Sequence, residues 1–380
     1  MHIGIIGSGQ LGLYLCKAAK RLDMQTTVLT PSADCPAAAA ADALIVAGLD
    51  DVAAACRLAE AVDVLTFEIE SVAPAVLQRL AALPEGSARV APSAEIMLLL
   101  QNKSLQKQWL SRNGFPTADY QVLDGATPDA EALAARFGLP LVQKAAFGGY
   151  DGRGVQILST ADELTRLWPA PSLVEVFVGN SEEIAVLTAR SLDGDTVSYP
   201  PTAMHFNDEG NVLDTIVAPA PLPAEVARSA TALAERVVAR LGGVGLFAIE
   251  MFVKDGELLI NEISPRVHNS GHHTLEACPT SQFEQHLRAI AGLPLGPADQ
   301  PRPAVMRNVL YTAALNDLGP PAVIDSSNGT TEVFVHWYGK SGGNTLRKMG
   351  HVTALADDRE AAQRSAAAAL QALSQGEAPS

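Results

Sequence analysis

The sequence predicts a mixed α/β and α+β chain in three parts: residues 1–100, 101–296 and a small β-rich tail over 297–380. Three observations carry this. Short β-rich runs alternate with Ala/Leu-rich helical stretches through residues 1–100, the pattern of a βαβ series. The 380 residues exceed the ~150 of an average domain, which predicts two to three domains. Finally, Pro297, Pro301 and Pro303 punctuate the chain as a linker would.

In order, residues 2–6, 26–29, 43–46 and 62–67 read as strands because each is a short apolar, β-branched run. A polar helix over 100–113, opening with Gln101-Asn102-Lys103, leads into the mixed central part. The tail shows β-like runs at 305–313 and 331–337, a Gly-rich loop, and a helix over 359–373.

Composition narrows the function. With 48% hydrophobic residues, wholesale disorder is excluded. The apolar stretches are cut by charge, as at Asp42 and Glu250, short of the ~18 residues a membrane span needs. The start, Met1-His2-Ile3-Gly4, lacks a secretory pattern, so a cytosolic protein is expected. Lysine plus arginine is 27 and aspartate plus glutamate 42, a net charge of −15 that repels nucleic acid and anionic membrane. Cys16, Cys35, Cys56 and Cys278 form no CxxC pair, so neither a zinc site nor a disulfide framework is expected.

Gly7-Ser8-Gly9-Gln10-Leu11-Gly12 follows the first strand and opens a helix, which is the GxGxxG pattern in context. A NAD site would also place an acid at the end of the second strand, where Thr30-Pro31 stands. The turn is therefore read three ways: a dinucleotide site, a phosphate site at the helix end, or glycines that let helix and strand pack closely. A second motif, Lys144-Ala145-Ala146-Phe147-Gly148-Gly149-Tyr150-Asp151-Gly152-Arg153-Gly154, offers amides and cations to phosphates, or else is a surface turn. It lacks the Gly-Lys-Ser/Thr of a Walker A loop.

Glu250 and Glu262 lie on strand-like runs, 247–253 and 258–263, joined around Asp255-Gly256. With Asn261 they offer the hard oxygen ligands that Mg²⁺ takes alongside nucleotide phosphates. Period-two alternation lets both glutamates share a face only if the connecting loop is odd, so a three- or five-residue loop is expected, with Gly256 at positive φ. Just beyond, His268, His272 and His273 lack metal-ligand spacing and are read as hydrogen-bonding groups for substrate oxygens.

Taken in order, the N-terminal turn, the 149–154 loop, Asn261-Glu262-Ile263-Ser264-Pro265-Arg266, His268-Asn269-Ser270-Gly271-His272, Thr280-Ser281-Gln282-Phe283-Glu284-Gln285-His286, and Tyr338-Gly339-Lys340 with Arg347-Lys348-Met349-Gly350-His351 resemble the ATP-grasp ligases. Within them the likeness is to the branch that carboxylates 5-aminoimidazole ribonucleotide. The resemblance implies an ATP-grasp fold with an N-terminal Rossmann-like (pre-ATP-grasp) domain and a small C-terminal β-rich domain that completes the acceptor site. It implies ATP and Mg²⁺, with Mn²⁺ as a substitute, and a cytoplasmic homodimer acting on ATP, bicarbonate and the ribonucleotide.

Carried over residue by residue, the resemblance puts Lys103, Lys144, Gly149, Tyr150, Asp151, Gly152, Arg153, Gly154 and Val155 on the ATP phosphates. Glu175, Val176, Phe177 and Val178 would line the adenine slot and Glu183 would meet the ribose. His205, Asn261 and Glu262 would lie beside the nucleotide, with Glu250 and Glu262 on the metal. Gly9, Gln10, Glu70, Tyr150, Asp151, Lys340 and Arg347 would bind the ribonucleotide, and Tyr150, Asp151, Arg153, Arg266, His268 and Asn269 would serve catalysis. The chain departs from the family's usual residues at Ala145, Ala146, Thr202 and Ala203. A sister ligase activating formate or another small carboxylate, a nucleotide-sensing scaffold and a Rossmann oxidoreductase are the competing readings.

Overall fold

The computed structural model describes residues 1–125, 129–149, 154–207, 212–311, 326–328, 330–340 and 346–375. β1 (His2–Ile6), α1 (Gln10–Arg21), β2 (Gln25–Thr30), β3 (Ala43–Val46), α2 (Val52–Ala61), β4 (Val64–Phe67), α3 (Pro74–Ala81) and β5 (Arg89–Val90) build the first layer. Its strands form a parallel sheet of order β3-β2-β1-β4-β5. Ile3 and Ile5 of β1 enter one core with Leu15 of α1, while Ile6 enters a second core with Leu58 of α2 and Leu77 of α3. A strand buried on both faces reads as a continuous apolar run, which is why β1, β2 and β4 are visible in the sequence, whereas the two-residue β5 is not. The strand order reverses between β1 and β4, where doubly wound sheets open a crevice beyond their carboxyl ends.

The helix expected over 100–113 is two helices, α4 (Ala94–Leu100) and α5 (Lys103–Arg112). Asn102 separates them. Its Oδ1 accepts from the amides of Ser104 and Leu105 at 2.9 and 3.1 Å, an N-cap that starts a new helix rather than continuing the old one. There follow β6 (Tyr120–Asp124), α6 (Ala130–Phe137), β7 (Leu141–Ala145), β8 (Val155–Leu158) and β9 (Pro171–Val176), whose strands make an antiparallel sheet of order β6-β9-β7-β8.

The third sheet is ten-stranded. It comprises β10 (Glu182–Arg190), β11 (Thr196–Ser198), β12 (Thr202–Phe206), β13 (Leu213–Ala218), β14 (Gly245–Lys254), β15 (Glu257–Ser264), β16 (Ala304–Leu310), β17 (Ser326–Asn328), β18 (Thr331–Trp337) and β19 (Lys348–Leu355). Among the described residues, the helices of this part of the chain are α7 (Ala224–Leu241), α8 (Thr274–Ala277), α9 (Gln282–Ala291) and α10 (Arg359–Gln375). The order β15-β14-β10-β12-β13-β16-β19-β18-β17, with β11 against β10, carries the sheet past the three prolines. Because β13 pairs with β16, the tail extends the central sheet, and Ala362, Ala366 and Ala369 of α10 close its face. Strand β19 lies in the segment the sequence suggests as a Gly-rich loop; it is buried along its whole length, paired to β16 and β18. Among the described residues no helix is long and apolar enough to cross a membrane.

Candidate active site

The β14–β15 hairpin presents two carboxylates. Its turn is Asp255-Gly256, with both residues at positive φ (52° and 81°) and Lys254 paired with Glu257. This corrects the expected odd loop: the turn has two residues, and only Gly256's conformation is as expected. Parity is restored inside β15, where the register jumps from Met251↔Ile260 to Glu250↔Glu262 and leaves Asn261 as an extra residue. The bulge makes Glu250 and Glu262 cross-strand partners on one face and turns Asn261 to the same cleft.

That pairing sets their electrostatics. Burial, reinforced by Glu262 and Glu183, pushes the Glu250 carboxyl up to about 8. Burial also works to raise Glu262, but Lys103, which forms an ion pair with it, together with Lys144 and Arg266, holds it below its ordinary value. His268 Nε2 lies 3.3 Å from Glu250 Oε1, and burial together with Arg266 and Lys348 keeps the imidazole well below its usual pKa, hence neutral. Two adjacent carboxylates and an amide oxygen form the hard donor set that Mg²⁺ takes, and a bound cation would relieve their repulsion.

Lys144 comes from β7 and donates to Asn261 Oδ1 at 2.7 Å while pairing with Glu175 of β9 at 2.8 Å. Glu175 is thus a charge partner as well as part of the cleft wall. Val176, Phe177 and Val178 continue that wall, faced by Val142, Val155 and Ile157, an apolar slot assembled from three strands.

At the N-terminal turn the sequence leaves three readings open, and Glu68 decides between them. Its carboxylate, 6% exposed, accepts from the amides of Gly9 and Gly12 at 3.0 and 3.1 Å. A Cβ on Gly7 would stand 2.5 Å from the Glu68 side chain. An internal carboxylate therefore occupies the helix end where a dinucleotide would put its pyrophosphate, and the glycines are there to admit it. Nothing local in the sequence links Glu68 to a turn 59 residues earlier.

Glu70, two residues on, faces the cleft and pairs with Arg266 at 2.7 Å. Lys340 of the tail donates to Gln10 Oε1 at 2.8 Å and to the Lys348 carbonyl at 3.0 Å, closing the tail onto the N-terminal turn. One cleft of about 1390 Å³ results, with Gly9, Gln10, Glu70, Lys103, Lys144, Gly149, Val155, Glu183, Glu250, Asn261, Glu262, Arg266, His268, Asn269, Lys340 and Arg347 on its walls.

Three placements differ from expectation. His205 is exposed, and the cleft is lined instead by its neighbours Met204 and Phe206, because alternate residues of β12 face opposite ways. His272 and His273 are fully buried, His272 among Tyr14, Phe283 and His351, so they reach no substrate. Gly154 is not among the residues that line the cleft, although Gly149 and Val155 on either side of it are. Tyr150, Asp151, Gly152 and Arg153 lie outside the described residues. Sequence reasoning missed Glu68, Met204, Phe206 and Phe252, which reach the site only through strand pairing.

Comparison with known proteins agrees with this architecture. Residues 1–101 match the ribonucleotide synthetase preATP-grasp domain, 108–283 the ATP-grasp domain, and 304–365 the phosphoribosylaminoimidazole carboxylase C-terminal domain. The chain is 38% identical to the N5-carboxyaminoimidazole ribonucleotide synthase of Synechococcus elongatus over 93% of its length and 89% of the relative's. It is 35% identical to that of Bacillus subtilis, over 92% and 90%. Among solved structures, the N5-carboxyaminoimidazole ribonucleotide synthetase of Thermotoga maritima superposes with a TM-score of 0.84 at 36% identity, covering 97% of this chain and 98% of that one. The Aspergillus clavatus N5-carboxyaminoimidazole synthase in complex with ADP and 5-aminoimidazole ribonucleotide gives 0.86 at 29%, covering 98% of each. The chain belongs to the N5-carboxyaminoimidazole ribonucleotide synthase family of ATP-grasp ligases.

Proposed function

We propose that this family member catalyses the ATP-dependent carboxylation of 5-aminoimidazole ribonucleotide by bicarbonate, giving N5-carboxyaminoimidazole ribonucleotide, ADP and phosphate, in purine biosynthesis. The observation that carries the reading is one cleft in which a nucleotide half (Lys103, Lys144, Glu250, Glu262) adjoins an acceptor half drawn from the N-terminal turn and the tail (Gln10, Glu70, Lys340, Arg347). The relatives named above support the assignment of each half.

Bicarbonate resists attack by an amine because it is an anion. Transfer of the γ-phosphoryl group to a bicarbonate oxygen forms carboxyphosphate and releases ADP. The ribonucleotide amine then attacks the carboxyl carbon, the carbon–oxygen bond to phosphorus breaks, and phosphate leaves with that electron pair while the nitrogen loses its proton. Lys103 and Lys144 hold the phosphates in line and offset their charge, which is most of what such a transfer asks of a protein. Mg²⁺, or Mn²⁺ in its place, held by Glu250 and Glu262, would supply further neutralisation of the nucleotide phosphates. Arg266, fixed by Glu70, and the neutral His268 provide donors beside the carboxylate pair where bicarbonate would lie, with Asn269, held by Asn308, next to them on the cleft wall. Lys340 and Arg347 meet the acceptor's phosphate. The same family reading carries a cytoplasmic homodimer, checked by sedimentation velocity.

The test is ADP release with bicarbonate and the ribonucleotide present, then with each omitted. Release should collapse when either is missing. Release that ignores the ribonucleotide, or that formate sustains in place of bicarbonate, would refute the assignment.

A further inference from the structure

One helical turn beyond Lys103, a second lysine of α5 sits behind the cleft rather than in its wall. Lys107 is 3% exposed. Its Nζ donates to Thr117 Oγ1 at 2.6 Å, and Thr117 in turn donates to the Ile260 carbonyl at 2.7 Å, so the ammonium is fixed to β15. On its other side it pairs with Glu175 Oε1 at 2.9 Å, while Glu175 Oε2 pairs with Lys144 Nζ at 2.8 Å. A void of about 10 Å³, room for a single water, is bounded by these groups together with Lys103, Asn261 and Glu262.

One buried carboxylate stands between two ammonium groups. If Lys144 were its only partner, the pair would be neutral and would present no net charge to an anionic ligand. With Lys107 behind it, Glu175 is compensated from the rear, and the cleft side keeps one uncancelled positive charge. In a water-poor setting that charge acts at much greater strength than on a surface. Burial would raise Glu175, yet the two lysines hold it below its ordinary value, so it is ionised at neutral pH. Burial pulls Lys107 down to about 8, which leaves it mostly protonated there as well.

We propose that Lys107 is a positioning residue for nucleotide binding: by neutralising Glu175 from behind, it frees the charge of Lys144 for the phosphates and fixes where that ammonium points. This rests on the reading of Lys144 as a phosphate contact, and the experiment separates the two.

MgADP affinity is measured by calorimetry on the full-length protein for Lys107→Met, Lys144→Met and the double variant Lys107→Met/Glu175→Gln, alongside the KM for 5-aminoimidazole ribonucleotide. Lys107→Met should weaken MgADP at least tenfold and leave the ribonucleotide KM within about twofold. The double variant should regain most of the loss, because a neutral glutamine no longer cancels Lys144; a purely structural anchor would show no such rescue. Lys107→Gln, which keeps a donor toward Thr117, carries the same expectation should the methionine variant not fold. Parental affinity in the Lys107 variants, or a double variant no better than the single, overturns the inference. Parental affinity in Lys144→Met overturns the phosphate reading itself, and the inference with it.

Discussion

Replacing Glu68 with alanine tests whether a carboxylate, rather than a ligand, completes the N-terminal turn. In the folded protein the side chain accepts two backbone hydrogen bonds, from Gly9 at 3.0 Å and Gly12 at 3.1 Å, at the amino end of α1. Truncation orphans both amides, and a buried donor without a partner costs ~1–3 kcal/mol. Part of that is returned. Burial raises the Glu68 carboxyl despite the pull of the two amides, Arg266 and Lys340, so its ionised form is itself held at some cost. The two amides together cost ~2–6 kcal/mol, and with this offset the net loss expected is ~1–4 kcal/mol. Urea denaturation followed by tertiary signal reads it as a lower midpoint. The vacated helix end should then accept an anion, so inorganic phosphate should raise the midpoint of the Glu68→Ala protein by more than it raises the parent's, whose cleft also takes phosphate. A variant as stable as the parent and indifferent to phosphate would refute the reasoning.

Other expectations follow from the carboxylate pair and the tail. Glu262→Gln should lower Mg²⁺-dependent ADP release by orders of magnitude, since an amide cannot match the carboxylate's charge; near-parental release at saturating Mg²⁺ would count against its role as ligand. Glu250, raised to about 8, is protonated at neutral pH and must ionise to hold a cation, so Mg²⁺ binding should release a proton. Its affinity should fall as pH drops below about 8 and level off above. Calorimetry in two buffers of different ionisation enthalpy would reveal the proton, and identical heats would argue against it. Arg347→Ala should raise the KM for 5-aminoimidazole ribonucleotide at least tenfold, in line with a charge-assisted bond of ~1.5–3 kcal/mol, and hardly alter the KM for ATP. The reverse pattern would move this cation to the nucleotide.

Much of this protein is written locally. Strands β1 and β3 and the first residue of α10 fall where apolar runs and helix-forming stretches put them; for β1, burial on both faces of a parallel sheet leaves a continuous apolar signature, while β3 is a half-exposed edge strand that keeps its apolar run all the same. The glycines after β1, the lysine before the second glycine loop and the two glutamates are equally legible, since each motif needs particular residue types at short spacing. Pairing across long separations is a different matter. The bulge at Asn261 sits inside a strand, Leu258-Leu259-Ile260-Asn261-Glu262-Ile263, that has no glycine or proline to mark it, and it alone brings Glu262 opposite Glu250 across a two-residue turn. Glu68 fills a turn 59 residues away, and Lys107 neutralises a glutamate 68 residues on, from the far side of the cleft wall. The prolines at 297, 301 and 303 are read as a border, but the hydrogen bonds between β13 and β16 cross it. The sequence by itself determined which chemical groups the site contains. Tertiary structure decided which of them face one another and which cancel, because charge compensation and strand register depend on distances that only packing sets.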